Sequence, residues 1–300
     1  MKHLISIGLI LISFSISAQQ RFTDDSFQLK DTETKTYATK HGEALKLDIY
    51  QPENDTMQQR PLIIFMHGGG FAGGTRINPD EVKFAETAAR KGYVAVQISY
   101  RLTRKGQSFG CDYDASGKME TFKLAAEDFM DAVNFMIENQ EEYGIDPSKI
   151  IVGGSSAGAE AILNAVYNER LMFKDFSNYE DFDFAGVFSL AGAVVDARYI
   201  TEENAIPGIF FHGTEDNLVP YATGPHHRCD PNKPGYLMLD GSRTITEKLR
   251  KFNTSYLLYS FEGGKHEHSG MPFDYFPEVF DFFNSVFLND KKQQIEVWKY

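Results

Sequence analysis

Six short, mostly apolar runs, at residues 62–66, 93–98, 150–152, 185–190, 206–211 and 256–261, alternate along the chain with segments whose apolar residues recur at helical spacing. A strand that is apolar on both faces must be covered on both faces, which a parallel sheet with crossover helices on each side achieves. The pattern therefore predicts an α/β fold with a mostly parallel central sheet. Ahead of it, residues 34–40 and 44–50 alternate apolar and polar positions around His41-Gly42-Glu43, predicting an antiparallel hairpin at the sheet edge. Asn78-Pro79-Asp80-Glu81 offers an N-cap, a first-turn proline and a capping-box glutamate, so a helix is expected over 79–91. A second is expected over 119–138, where Phe122, Phe129, Val133 and Met136 mark a buried face, and a third over 157–167.

Residues 1–18 carry Lys2, a mostly apolar stretch from Leu4 to Ile16, and small residues at Ser15-Ile16-Ser17-Ala18. This reads as a signal peptide, which implies export to the periplasm or beyond, and leaves 19–300 as one domain with no linker or repeat to divide it. No later run approaches the roughly 20 apolar residues that a spanning helix needs, so no transmembrane segment is expected. The net charge of −12 argues against nucleic acid as a partner.

Gly154-Ser155-Ser156-Ala157-Gly158 follows the apolar run ending at Val152 and precedes the third helix. A serine at such a strand-to-helix corner sits on strained backbone, and glycines on either side remove clashes with neighbouring chain. Ser156 is thus a candidate nucleophile; of the two serines only it has glycine at both second neighbours, Gly154 and Gly158. His67-Gly68-Gly69-Gly70-Phe71 follows another run, and a glycine series there frees backbone N–H groups to face a ligand, as an oxyanion hole requires. A carboxylate pair, Glu215-Asp216, and an imidazole pair, His266 and His268, follow two further runs. A resting serine needs a base within hydrogen-bond reach and a third group to orient that base, which these residues supply in the order Ser, Asp, His.

On these motifs the chain resembles the α/β-hydrolase superfamily over roughly residues 35–288. The resemblance is to the carboxylesterase branch with a His-Gly-Gly-Gly oxyanion motif, which includes hormone-sensitive-lipase-like and feruloyl or acetyl-xylan esterase-like enzymes. It implies an α/β-hydrolase fold and a serine esterase that works through an acyl-enzyme without a cofactor. Its substrates would be small esters or acylated polysaccharide. It selects Asp216 over Glu215, from His212-Gly213-Thr214-Glu215-Asp216-Asn217-Leu218-Val219-Pro220, and His266 over His268, although Lys265 and Glu267 interrupt the usual glycine pattern around the base. It places the oxyanion donors on Gly69, Gly70 and Ala157 and leaves His67 and Arg101 as structural residues. An amidase or peptidase of the same fold, and a silent binding protein on this scaffold, are the competing readings.

His266-Glu267-His268 could suggest a metal, but no third or fourth ligand accompanies it at suitable spacing, so none is expected. Of the long connections at 103–118, 169–184 and 220–240, the first and third follow the carboxyl ends of strands and are the expected cleft walls, while the aromatic-rich 169–184 is either a small lid or a loop packed on the core. Phe71, His226 and His227 are candidate cleft residues. Glu160, one turn beyond Ser156, is expected to be buried with its polar partners satisfied. Cys111 and Cys229, the two cysteines of an exported chain, lie in two loops that should face each other, and a disulfide is expected.

Overall fold

The computed structural model describes residues 21–175 and 183–300; the expected signal peptide and part of the 169–184 connection lie outside the described residues. Its centre is a nine-stranded sheet. In chain order the elements that build it are β1 (Glu33–Lys40), β2 (Glu43–Tyr50), β3 (Arg60–Met66), α1 (Pro79–Arg90), β4 (Val94–Ile98), α2 (Ala115–Glu138), β5 (Ile145–Ser155), α3 (Ala157–Tyr167) and β6 (Phe184–Leu190). There follow β7 (Ala193–Val194), β8 (Gly208–Gly213), β9 (Thr223–Pro225), β10 (Met238–Gly241), α4 (Ser242–Lys251), β11 (Tyr256–Phe261), α5 (Phe276–Phe282) and β12 (Gln294–Lys299). Spatial order is β1-β2-β4-β3-β5-β6-β8-β11-β12. The β1–β2 hairpin and its junction with β4 are antiparallel, and every pairing from β4 to β12 is parallel.

Each central strand divides its apolar residues between two cores. Leu62, Ile64 and Met66 of β3 point to one side with Phe122, Phe129 and Ile162 of α2 and α3, while Ile63 and Phe65 point to the other with Phe84 of α1 and Phe280 of α5. Period-two alternation of side chains produces this from a run with no polar residue between Leu62 and Met66, so both faces are buried.

Three local features depart from the sequence pattern. Helix α2 starts at Ala115, capped by Asp114 Oδ1, which accepts from the Gly117 amide at 2.8 Å, and the extra turn carries Lys118 into the interior. Asn78 caps α1 as expected, with Oδ1 3.0 Å from the Asp80 amide, but Glu81 does not close a capping box: its buried side chain turns away to accept from the Gly68 amide. Beyond residue 288 the chain returns as β12, pairing Val297 with Tyr259 and leaving Trp298 on the outer edge. The 220–240 connection is pinned by a second, three-stranded sheet of order β7-β10-β9.

Because β3, β5, β8 and β11 are parallel, the segments that leave their carboxyl ends converge on one edge of the sheet, where ligand sites of open α/β folds form. Those segments carry His67–Gly70, Ser156, Asp216 and His266.

Candidate active site

The corner between β5 and α3 holds Ser156 at φ 50°, ψ −119°, a conformation that costs an L residue of order 1–3 kcal/mol and that the surroundings must enforce. They do so by close packing. A Cβ on Gly154 would stand 2.6 Å from the Gly158 carbonyl carbon, and one on Gly158 would stand 2.1 Å from the Met66 carbonyl oxygen. The Ser156 amide donates to Leu190 O at 2.8 Å, which fixes the corner to β6. Ser155 points elsewhere, its hydroxyl donating to Ser269 O at 2.7 Å.

The Ser156 hydroxyl lies 2.7 Å from His266 Nε2, and His266 Nδ1 lies 2.7 Å from Asp216 Oδ2. A carboxylate can only accept, so the imidazole proton sits on Nδ1 and Nε2 is free to accept from the serine. Asp216 is itself held by the Leu218 and Val219 amides, which donate to Oδ1 at 2.8 and 3.0 Å. His212 Nε2 gives its proton to Val219 O at 3.0 Å and stands 3.5 Å from Asp216 Oδ2. Burial raises the Asp216 pKa, but His212 and His266 beside it outweigh burial and hold the carboxyl well below the usual carboxylate range. Glu215 makes no contact with either imidazole of the pair; its backbone oxygen accepts from Arg228 at 2.6 Å. His268 stacks on Phe261 with ring centroids 3.8 Å apart, away from Ser156.

On the other side, Gly69 and Gly70 adopt φ +119° and +60°. A Cβ on Gly69 would stand 2.3 Å from Gly73 O, so this tight loop admits only glycine there. The Gly69 and Gly70 amides and the first helical amide, that of Ala157, have no acceptor among the described residues. His67 supports the loop: its Nδ1 is 2.7 Å from Gly68 O, its ring packs on Tyr100 at 4.6 Å, and burial lowers its pKa. Arg101 is structural, paired with Asp128 and Glu127.

These groups open into a cleft of about 480 Å³, walled by Phe109, Leu190, Leu218, Val219 and Met271 and by the polar Asn78, Asp80, Glu81, Glu160 and His227. Two expectations for the cleft are corrected. Phe71 is fully buried, packed on Tyr100, Phe109 and Phe122 beneath the cleft floor, because a left-handed backbone (φ 57°) turns it inward. His226 is also fully buried, behind the wall, with Nδ1 3.3 Å from Lys118 Nζ and Nε2 3.2 Å from Glu160 Oε1. His227 does line the cleft, and burial pushes its pKa down to about 4, so the ring is neutral. Cys111 and Cys229 are bonded, with Cα atoms 5.4 Å apart, which ties the 103–118 connection to the turn that carries both histidines. Glu81 and Glu160 were not legible as cleft carboxyls; burial pushes them up to about 8 and about 7. No cluster among the described residues has the ligand set of a metal site, and none of their helices is long and apolar enough to cross a membrane.

The BD-FAE family model matches residues 47–202, slightly more than half of the chain. Gut esterase 1 of Caenorhabditis elegans is 30% identical over 120 residues, 40% of this chain and 20% of that protein. Secreted lipase 1 of Botryotinia fuckeliana is 29% identical over 160 residues, 52% of this chain and 26% of that protein. The chain thus spans about a fifth to a quarter of the length of these relatives. Among solved structures, Thermogutta terrifontis esterase 2 phosphorylated by paraoxon superposes with a TM-score of 0.63 at 21% identity, covering 87% of this chain and 96% of that one.

Proposed function

The chain belongs to the BD-FAE family of esterase-like α/β-hydrolases, and from that premise we propose that it is a serine hydrolase of carboxylic esters. Ser156 attacks the ester carbonyl, His266 takes its proton and returns it to the leaving alcohol, and water activated by the same imidazole then releases the acid. Asp216 holds the tautomer and stabilises the imidazolium. The Gly69, Gly70 and Ala157 amides receive the developing oxyanion, where a single donor is typically worth roughly 3–4 kcal/mol. The observation that carries this reading is the continuous relay from Ser156 through His266 to Asp216, with both contacts at 2.7 Å.

The acyl groups we infer are those on bulky extracellular material, such as acetylated or feruloylated polysaccharide. Support comes from the polar residues of the cleft wall, and export is supported by residues 1–18, the disulfide and a relative named as a secreted lipase. A panel of p-nitrophenyl acyl esters, acetylated xylan and methyl ferulate, run against the Ser156→Ala protein and beside a matched anilide, tests reaction class and acyl preference together. Turnover of the anilide alone, or equal turnover by wild type and Ser156→Ala, overturns the reading.

A further inference from the structure

Glu160 stands one helical turn, roughly 6 Å, beyond the Ser156 corner on the first turn of α3 and faces the cleft with about 2% of its surface exposed. A buried carboxyl normally finds donors, since leaving it without them is costly. Here Oε1 is buried without a hydrogen-bond partner among the described residues. His226 Nε2 is 3.2 Å from Oε1, but the two are out of line, and both atoms remain without a hydrogen-bond partner.

The groups behind the carboxyl fix what it can take. Lys118 Nζ donates to Gly235 O at 2.9 Å and lies 3.3 Å from His226 Nδ1. An ammonium only donates, so Nδ1 accepts and the His226 proton lies on Nε2, facing Glu160. One cation therefore already backs the carboxyl, which disfavours a second from the cleft. Beside it, His227 lines the same cleft and, with its pKa pushed down to about 4 by burial, is a neutral ring that can either donate or accept. Burial pushes the Glu160 carboxyl up to about 7, which brings its protonated form as well as its carboxylate into reach. A ligand group able to donate to a carboxylate and accept from a carboxylic acid fits both states, and a hydroxyl does this where an ammonium or a methyl does not.

We propose that Glu160, with His227, forms a specificity subsite for a free hydroxyl borne by the substrate beside the scissile ester, so that the preferred esters are partly acylated polyols or hydroxy acids. The proposal rests on the esterase reading for its turnover arm only. Two matched pairs of esters test it, 2-hydroxyethyl acetate against propyl acetate for the alcohol side, and ethyl glycolate against ethyl propionate for the acyl side, with each kcat/KM ratio divided by the ratio for hydroxide-catalysed hydrolysis.

The expected result is a corrected ratio of at least tenfold in favour of the hydroxylated ester in one pair. It should fall to about one in Glu160→Leu and be partly retained in Glu160→Gln, which keeps an acceptor. Ratios near one in the wild type, or an equal loss on both members of a pair with the ratio preserved in Glu160→Leu, overturn it. Calorimetric binding of the same pairs to the Ser156→Ala protein reads the subsite without turnover. Failure to discriminate there overturns the proposal whether or not the chain hydrolyses either ester, whereas discrimination in binding by a wild type that hydrolyses none of them upholds the subsite and removes the esterase reading.

Discussion

Gly158 packs so closely on the Met66 carbonyl oxygen that a methyl group at its Cβ position would stand 2.1 Å away. Helix α3 therefore cannot keep its seat on β3 if residue 158 gains a side chain, and the seat sets where Ser156 and the Ala157 amide point. Gly158→Ala is expected to lower kcat by at least a hundredfold and to reduce stability by several kcal/mol. The control is Gly106→Ala, where φ is +73° and no atom lies within 4 Å, so only the left-handed backbone penalty of about 1–2 kcal/mol applies. Equal melting shifts in the two variants would contradict this account.

Ser156→Ala should fold with the wild-type circular dichroism spectrum and lose nearly all ester turnover, and a fluorophosphonate should label residue 156. Because the members of such a relay act as a unit, His266→Ala is expected to cost several orders of magnitude in kcat. His268→Ala removes a ring stacked on Phe261 and should cost little. Peptide mapping that places the label on Ser155, or a crippled His268→Ala beside an active His266→Ala, reverses these assignments.

The Glu81 carboxyl gives a pH-dependent stability of definite sign. Burial raises its pKa in the folded chain to about 8, from 4.5 when exposed. The folded chain thus holds this proton more tightly than the unfolded chain, and the contribution is fully present below about pH 4.5 and lost as pH rises toward 8. Glu81→Gln keeps an acceptor for the Gly68 amide without the ionisation. Its stability relative to wild type should rise by up to about 4 kcal/mol between pH 5 and pH 8, measured by urea unfolding. A difference that does not change with pH would show that the carboxyl ionises freely in the folded state.

Reduction of the Cys111–Cys229 bond should act on the cleft wall as well as on stability. His227 and Arg228, directly before Cys229, both hold positive φ, at 55° and 51°, so the turn that presents His227 is strained and the bond is one of its restraints. Replacing both cysteines by serine is expected to cost about 2–4 kcal/mol and to raise KM more than it lowers kcat. Intact mass before and after reduction establishes the bond, and unchanged melting and KM in the double variant would remove its role.

The parts of this molecule that were readable in sequence are those in which a residue type has one physical use. Residues 62–66 had to be a strand covered on both faces, and the glycines around Ser156 had to mark a corner where backbones nearly touch. Glu160 is buried as expected but its Oε1 is not satisfied as expected, and Lys118 and His226 were unreadable as its neighbours because charged and polar residues ordinarily face water. Nothing local shows that α2 begins four residues before the expected position and brings Lys118 inside, opposite a turn more than a hundred residues away. Glu81 obeyed the capping-box pattern and yet serves the Gly68 amide, a loop donor with no other acceptor among the described residues, in place of a helix end that water can solvate. Phe71 was misplaced for a different reason, as a left-handed φ reverses the side on which a side chain emerges.

The chain has a single tryptophan, and it lies on the outermost strand: Trp298 of β12 is 43% exposed, paired only through β11 to the rest of the sheet. Intrinsic indole emission will therefore report on that edge and stay nearly blind to the cleft. In a denaturation experiment, a red shift that precedes the loss of ellipticity would mean that β12 peels away while the relay at the far ends of β5 and β8 is still assembled. Fluorescence alone would then understate the range of conditions over which the relay survives.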